Sequence, residues 1–173
     1  MKALVLREQI LGKNHIHTIQ SYNNLAQLYF SCGNIDNAKK LFIKSIYNIT
    51  KVNVNEKNSE ITILSEKSTL YSNYGSFLIK IEYKNKNRVL KYLKKAVDLY
   101  IQYKDYSNPA FITCKFNLAK GYEYCGEYDR AEELYIDVLE SKINVFGEYH
   151  NDVATAYIGI SLFYSNYKNI PMN

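Results

Sequence analysis

The sequence predicts an all-α chain, an α-solenoid of antiparallel helix pairs, and three observations predict it. The stretch 116–139, FNLAKGYEYCGEYDRAEELYIDVL, has a copy at 23–46, NNLAQLYFSCGNIDNAKKLFIKSI. A displacement of 93 positions pairs Leu25 with Leu118, Ala26 with Ala119, Tyr29 with Tyr122, Gly33 with Gly126 and Ala38 with Ala131. Self-similarity at a fixed period marks a repeat architecture. Within each copy, large residues recur at i, i+3, i+4 and i+7, the spacing of one buried helix face. Finally, 2 Pro and 7 Gly among 173 residues are too few for a turn-rich sheet protein.

In chain order, residues 3–12 carry Leu4, Ile10 and Leu11 among charges and read as a short helix stopped by Gly12. KNHIH follows as a connector. A helix from about Thr18 to Ser31 puts Tyr22, Leu25, Ala26 and Tyr29 on one face, and Gly33 ends it. The next opens at Ile35 and Asp36, where an acid suits the helix dipole. Its buried stripe is Ala38, Leu41, Phe42, Ser45, Ile46 and Ile49. Residues 51–60, KVNVNEKNSE, are polar and lack helical period, so they read as a loop, with helix resuming near Ile61. Tyr71, Tyr74, Gly75 and Leu78 repeat the Tyr22–Tyr29 face at an offset of 49. Val89, Tyr92, Leu93, Ala96 and Val97 repeat the Ala38–Ile46 stripe at an offset of 51, so the turn between is two residues longer.

Asn108-Pro109 opens the third pair, with Pro suited to a helix start. The stretch 146–164 then repeats 11–29 at an offset of 135, matching Gly147 to Gly12, His150 to His15 and Tyr157 to Tyr22. The offsets 135 and 93 differ by a basic period of 42. The expected organisation is one array over 1–173. Residues 1–12 are the second helix of a truncated repeat; 15–50, 61–104 and 109–146 are three repeats; 150–168 is the first helix of a fourth.

Composition narrows the function. The formal net charge of +5 comes largely from Lys84, Lys86, Arg88, Lys91, Lys94 and Lys95. Three Cys, without framework spacing, suit a reducing compartment. MKALVLRE breaks its apolar run at Arg7 and Glu8, so it is no signal peptide. No stretch approaches the roughly 20 apolar residues that span a bilayer. The expectation is a soluble, cytoplasmic protein. His15 and His17 have no completing ligands for a metal site, and zinc normally takes three or four. Cys114 and Cys125 sit at helical repeat positions with no His nearby and read as packing. No Gly-rich phosphate loop or paired catalytic carboxylates occur. No enzyme activity, metal or cofactor is therefore expected.

The pattern large–x–x–Leu–Ala–x–x–Tyr, Gly–x–aromatic–x–x–Ala, Leu–aromatic resembles the tetratricopeptide signature, whose usual unit is 34 residues. The longer period of 42, with ALVLREQILGKNH leading into YNNLAQLY, resembles the kinesin light chain variety. The match is strong in the first and third repeats and degenerate in the second, where Gly33 has no equivalent and Ala38 becomes Val89. The resemblance implies a right-handed superhelix whose concave face, lined by the first helix of each pair, grips a peptide segment of a protein partner. A kinesin light chain-like adaptor is the finer implication.

The stripe facing that groove would hold Gln20, Asn23 and Gln27, then Thr69, Ser72 and Ser76, then Thr113, Phe116 and Lys120, then Thr155, Ile158 and Leu162. Asn23 is similar to the peptide-gripping Asn of the light-chain groove, and Phe116 would serve as a stacking anchor. Lys120 is the one cation of the stripe, which predicts weak binding of acidic chaperone tails. The alternative reading is a regulatory module of a larger protein, or a binder of nucleic acid or anionic membrane through the basic helix 84–95, using Lys84, Lys86, Arg88, Lys91 and Lys95. Charge runs are more often solvated faces, so nucleic acid is the lesser expectation. The last helix carries Tyr157, Ile160 and Tyr164 on one side and Ile158 and Leu162 on the other. A helix apolar on both sides needs burial, which predicts either a longer array or self-association through this helix.

Overall fold

A computed structural model of the chain describes residues 2–52, 57–81, 85–103, 106 and 108–167. Its described residues form eight helices and no strand. They are α1 (Lys2–Leu11), α2 (Ile16–Ser31), α3 (Ile35–Ile49), α4 (Lys57–Ile81), α5 (Lys86–Tyr103), α6 (Pro109–Cys125), α7 (Tyr128–Phe146) and α8 (Asn151–Tyr167). Each helix packs on the next, most extensively within the pairs α2–α3, α4–α5 and α6–α7. The first helices of successive pairs also meet, α2 against α4 and α4 against α6. The result is a layer of first helices backed by a layer of second helices, the architecture of an α-solenoid.

Local chemistry sets the helix ends. The Asn108 side chain accepts from Ala110 N at 2.9 Å, and Pro109, which has no N–H to leave unpaired, opens α6. At its other end Gly126 adopts φ 83°, a left-handed conformation that glycine reaches without strain and L side chains rarely adopt. Asn34 caps α3 by accepting from Asn37 N at 3.2 Å.

The core follows the small residues of the repeat. Ala26, Ala38, Ala96, Ala119 and Ala131 are all fully buried where helices cross. Leu93 is the clearest wedge. It is fully buried, with one methyl against Gly75 of α4 and the other against Gly121 of α6, where a side chain on either glycine would collide with it. One apolar cluster runs from α2 to α6, and a smaller one gathers Ala119, Ala131, Tyr135 and Phe163 between α6, α7 and α8.

Two expectations are corrected. Helix α4 begins at Lys57, ahead of Ile61, inside the stretch read as a loop. Once a helix is nucleated, extension adds one hydrogen bond per residue without apolar residues, and Glu60 suits the dipole of its first turn. Residues 53–56 of that stretch, and residues 104 and 168 at the expected repeat boundaries, lie outside the described residues. On α8, Ile160 and Tyr164 are not left waiting for a longer array or a second copy to bury them. Both are half-buried against the Tyr135–Phe163 cluster, and the Tyr164 hydroxyl donates to Glu132 Oε1 of α7. Tyr157 alone of that trio is open, at 46% exposure.

Candidate functional site

The first helices of the pairs enclose a cavity of about 680 Å³ towards the α8 end of the array. Its wall comes from α2, α4, α6, α7 and α8. Aromatic rings dominate it: Phe30, Tyr124, Tyr128, Phe163 and Tyr167. Ile79, Ile158 and Leu162 add aliphatic surface, and Leu162 and Ile158 stand open at 60% and 61% exposure. Lys80, Lys120, Glu123, Asn117, Asn166, Ser76 and Thr155 supply the polar groups. An apolar wall with a few convergent polar groups is the ordinary make-up of a binding pocket.

Of the stripe expected from sequence, Ser76, Phe116, Lys120, Thr155, Ile158 and Leu162 meet on this wall. Gln20, Asn23, Gln27, Thr69, Ser72 and Thr113 do not. Asn23 is 5% exposed and accepts from Asn73 Nδ2 at 3.3 Å; Ser72 is 2% exposed and accepts from Asn117 Nδ2 at 2.9 Å. Both belong to the seam between neighbouring first helices, so their hydrogen bonds are spent on holding the array together. Gln20 donates to Glu66 Oε1 of α4 in the same way. Thr113 is exposed and donates to Pro109 O within its own helix.

Phe116 is not a free stacking anchor. Its ring lies edge-on to Tyr135, with centroids 5.6 Å apart, and so close to Gly159 that a Cβ there would fall 2.6 Å from Phe116 Cζ. Lys120 Nζ stands 4.6 Å from the ring centroid and Lys142 Nζ 5.1 Å, both within cation–π range.

Lys142 is the residue that sequence reasoning missed. It lies on α7, is 7% exposed, and donates to Asp152 O at 2.9 Å and Thr155 Oγ1 at 3.1 Å. The signal was present: at the 93-position offset Lys142 falls where Ile49, fully buried, stands in the first pair. A cation at a core position calls for a partner. Desolvation pushes the Lys142 ammonium below its ordinary pKa, and the charge of Lys120 adds to the effect. Lys120 is likewise lowered, by burial first and by Lys80 second. The cavity wall itself carries two lysines, Lys80 and Lys120, and one carboxylate, Glu123. The Tyr135 hydroxyl donates to Glu123 Oε2 at 2.8 Å, and burial followed by that carboxylate drives its pKa upward.

The basic helix is less of a patch than its sequence. Lys84 lies outside the described residues. Arg88 donates to the Tyr74 hydroxyl at 2.7 Å, Lys95 Nζ sits 4.6 Å from the Tyr71 ring centroid, and Lys86 donates to Cys125 O at 3.3 Å. Lys91 is exposed. His15 Nδ1 accepts from His17 N at 3.2 Å, a capping role. Among the described residues no three His, Cys, Asp or Glu side chains gather as a metal site would need. Burial pushes the Cys114 thiol up to about 12, the reverse of an activated nucleophile. No described helix is long and apolar enough to cross a membrane.

Two segments match models of the tetratricopeptide repeat, residues 18–47 and 113–145. They cover the pairs α2–α3 and α6–α7, the two where the internal repeat is strongest. Among solved structures the chain is similar to BtubC (BKLC) from P. vanneervenii, with 18% identity and a TM-score of 0.66. That likeness covers 97% of this chain and 62% of the other, so this chain spans less than two thirds of its length. Two structures of a Podosopora anserina kinesin light chain candidate with nearly identical TPR-like repeats align at 17% identity, with TM-scores of 0.63 and 0.61. Each alignment covers 97% of this chain and 76% of that one. At such identities the likeness is one of fold. No curated protein matches the chain in sequence. Repeated signature, paired helices and matched segments agree: the chain carries tetratricopeptide repeats.

Proposed function

We propose that this chain is a non-enzymatic cytoplasmic scaffold that seats an extended peptide segment of a protein partner in the cavity between α4, α6 and α8. The observation that carries the reading is the cavity itself: about 680 Å³, walled by aromatic and aliphatic side chains, with Lys80 and Lys120 at its polar edge. Apolar peptide side chains would lie against Leu162, Ile158 and Tyr124. Carboxylates would meet the lysines, and Asn166 would bond the peptide backbone, with the carboxamide oxygen of Asn117, whose Nδ2 is held by Ser72, as a further acceptor. The lowered pKa of Lys120 supports this, because an anionic ligand relieves what burial and the neighbouring charge of Lys80 impose. The likeness in fold to a kinesin light chain candidate supports an adaptor role. Binding of nucleic acid or membrane through α5 is the weaker reading, since Lys86, Arg88 and Lys95 turn onto groups of the chain itself. Self-association through α8 is a second reading, favoured by the exposure of Tyr157.

The test is selection of peptides from a random display library on the wild-type chain, followed by affinity measurement against Leu162→Arg. Leu162 is exposed, so the substitution leaves the fold intact while filling the cavity mouth. Binding at least tenfold weaker to the variant is expected. Selected peptides that bind both forms equally would overturn the assignment.

A further inference from the structure

The register of the repeat says what ought to cover the open face of α8. On α2, Ile19, Tyr22 and Ala26 are 2%, 0% and 0% exposed. Their counterparts on α4, at the 49-position offset, are Ser68, Tyr71 and Gly75, all buried. On α6 they are Ile112, Lys115 and Ala119, buried except for half-buried Lys115. The matching residues of α8, 135 positions beyond α2, are Ala154, Tyr157 and Ser161, and all three are exposed.

In every complete pair this face is met by the second helix. Lys44 Nζ of α3 stands 4.3 Å from the Tyr22 ring centroid. Leu93 of α5 lies against Gly75. Lys115 Nζ donates to Asp137 and Ser141 of α7. The face of α8 is therefore shaped for a second helix of this same repeat.

Helix α1 is such a helix. It leads into α2 as α7 leads into α8. Gly12 and Gly147 have φ of 83° and 84°, and the His150 side chain accepts from Asp152 N at 3.1 Å as His15 accepts from His17 N. At the 42-residue period, Lys2 of α1 falls where Lys44 falls in α3. The outward side of α1 is apolar and open: Leu6, whose counterparts Asn48 and Ser141 are buried and half-buried in their own pairs, is 54% exposed, Val5 and Ile10 flank it at 51% and 76%, and α1 buries no residue of its own.

We propose that a second copy of this chain provides the cover. The outward face of α1 in one copy docks on the Ala154–Tyr157–Ser161 face of α8 in another, completing a composite helix pair with Lys2 over Tyr157. The proposal rests on the self-association reading of α8 and assigns it a partner surface. The contact joins two different surfaces, so copies add end to end instead of closing as a symmetric pair. Ten residues of helix rise about 15 Å, so the contact is small and dissociation falls at roughly micromolar concentration or above.

Sedimentation velocity of the 173-residue chain across a wide concentration range tests it, together with Ile10→Asp and Tyr157→Asp. Both residues are exposed, and unchanged helical circular dichroism verifies the fold; Leu6→Lys replaces Ile10→Asp if helicity drops. Wild type is expected to show concentration-dependent species beyond the monomer. Each variant alone is expected to be monomeric, since each has lost one of the two faces. Mixed in equal amounts they should form a one-to-one dimer and nothing larger, because each retains the face that the other lacks. A wild type that stays monomeric throughout would overturn both the self-association reading and this proposal. Assembly of Ile10→Asp equal to wild type would overturn the head-to-tail proposal alone and leave an α8–α8 contact. An equimolar mixture that stays monomeric would also overturn the proposal.

Discussion

Gly75→Ala should destabilise the protein, although alanine is the better helix former. Gly75 lies in the interior of α4, where the change to Ala is ordinarily worth about 1 kcal/mol in favour of the helix. Here the added Cβ would fall 2.5 Å from both Cγ and Cδ2 of Leu93 and 3.4 Å from its backbone N. Leu93 cannot swing aside, because its other methyl already lies against Gly121. Overpacking of this kind costs about 1–3 kcal/mol, so the net loss is about 1 kcal/mol after the propensity gain. The sign should reverse in a Leu93→Ala background. That change alone costs about 2–5 kcal/mol through the cavity it leaves. The vacated space then accepts the Gly75→Ala methyl, and the propensity gain of about 1 kcal/mol remains. The coupling between the two sites is therefore about 2 kcal/mol. Urea unfolding of the four proteins, followed by helical circular dichroism at constant slope, measures it. A stabilising Gly75→Ala in the wild-type background, or the same effect in both backgrounds, would refute the wedge geometry.

Glu8 should act as the latch of α1. It accepts from the Tyr22 hydroxyl and from Lys44 Nζ, the latter at 2.8 Å, and these bonds, Lys44 first, hold its carboxyl below the ordinary value of 4.5. A depressed folded value means that its stabilisation is complete above 4.5 and fades as pH falls through the folded value. Glu8→Gln should thus lower the melting temperature near neutral pH and converge with wild type in acid, with faster amide exchange confined to α1; a gap independent of pH would contradict this. The thiols make a further check. Exposed Cys32 should react with a disulfide reagent on mixing, whereas buried Cys114, with its thiol pushed up to about 12, should react only on unfolding; rapid loss of the Cys114 thiol would contradict its place in the core.

The helix pairs were legible because the chain writes them more than once. Ala26 and Ala119, or Gly33 and Gly126, explain each other when superimposed, and each has a physical reason at a crossing or a turn. The groove stripe was only half legible. Helical period tells which side of α2 carries Asn23, but not that Asn73 of α4 will lean across and bury it. The same holds for Ser72 beneath Asn117. At the α8 end, Lys120, Ile158 and Leu162 keep their side chains on the cavity wall. Lys142 was hidden for another reason: on its own helix it looks like one more surface lysine. Only its alignment with Ile49 shows that it occupies a core position. The start of α4 escaped because its first turn is polar and is extended from the apolar turns that follow.

The central claim is that the cavity between α4, α6 and α8 is the face that meets a partner peptide. Site-specific photocrosslinking tests it most directly. A benzophenone amino acid placed at Leu162, on the cavity wall, is compared with one at Ile43, also exposed but on the second-helix layer, at 60% and 47% exposure respectively. The probe is a peptide selected on the wild-type chain. A strong crosslink is expected from position 162, suppressed by excess unlabelled peptide, and none above background from position 43. Crosslinking from position 43 with none from 162 would contradict it.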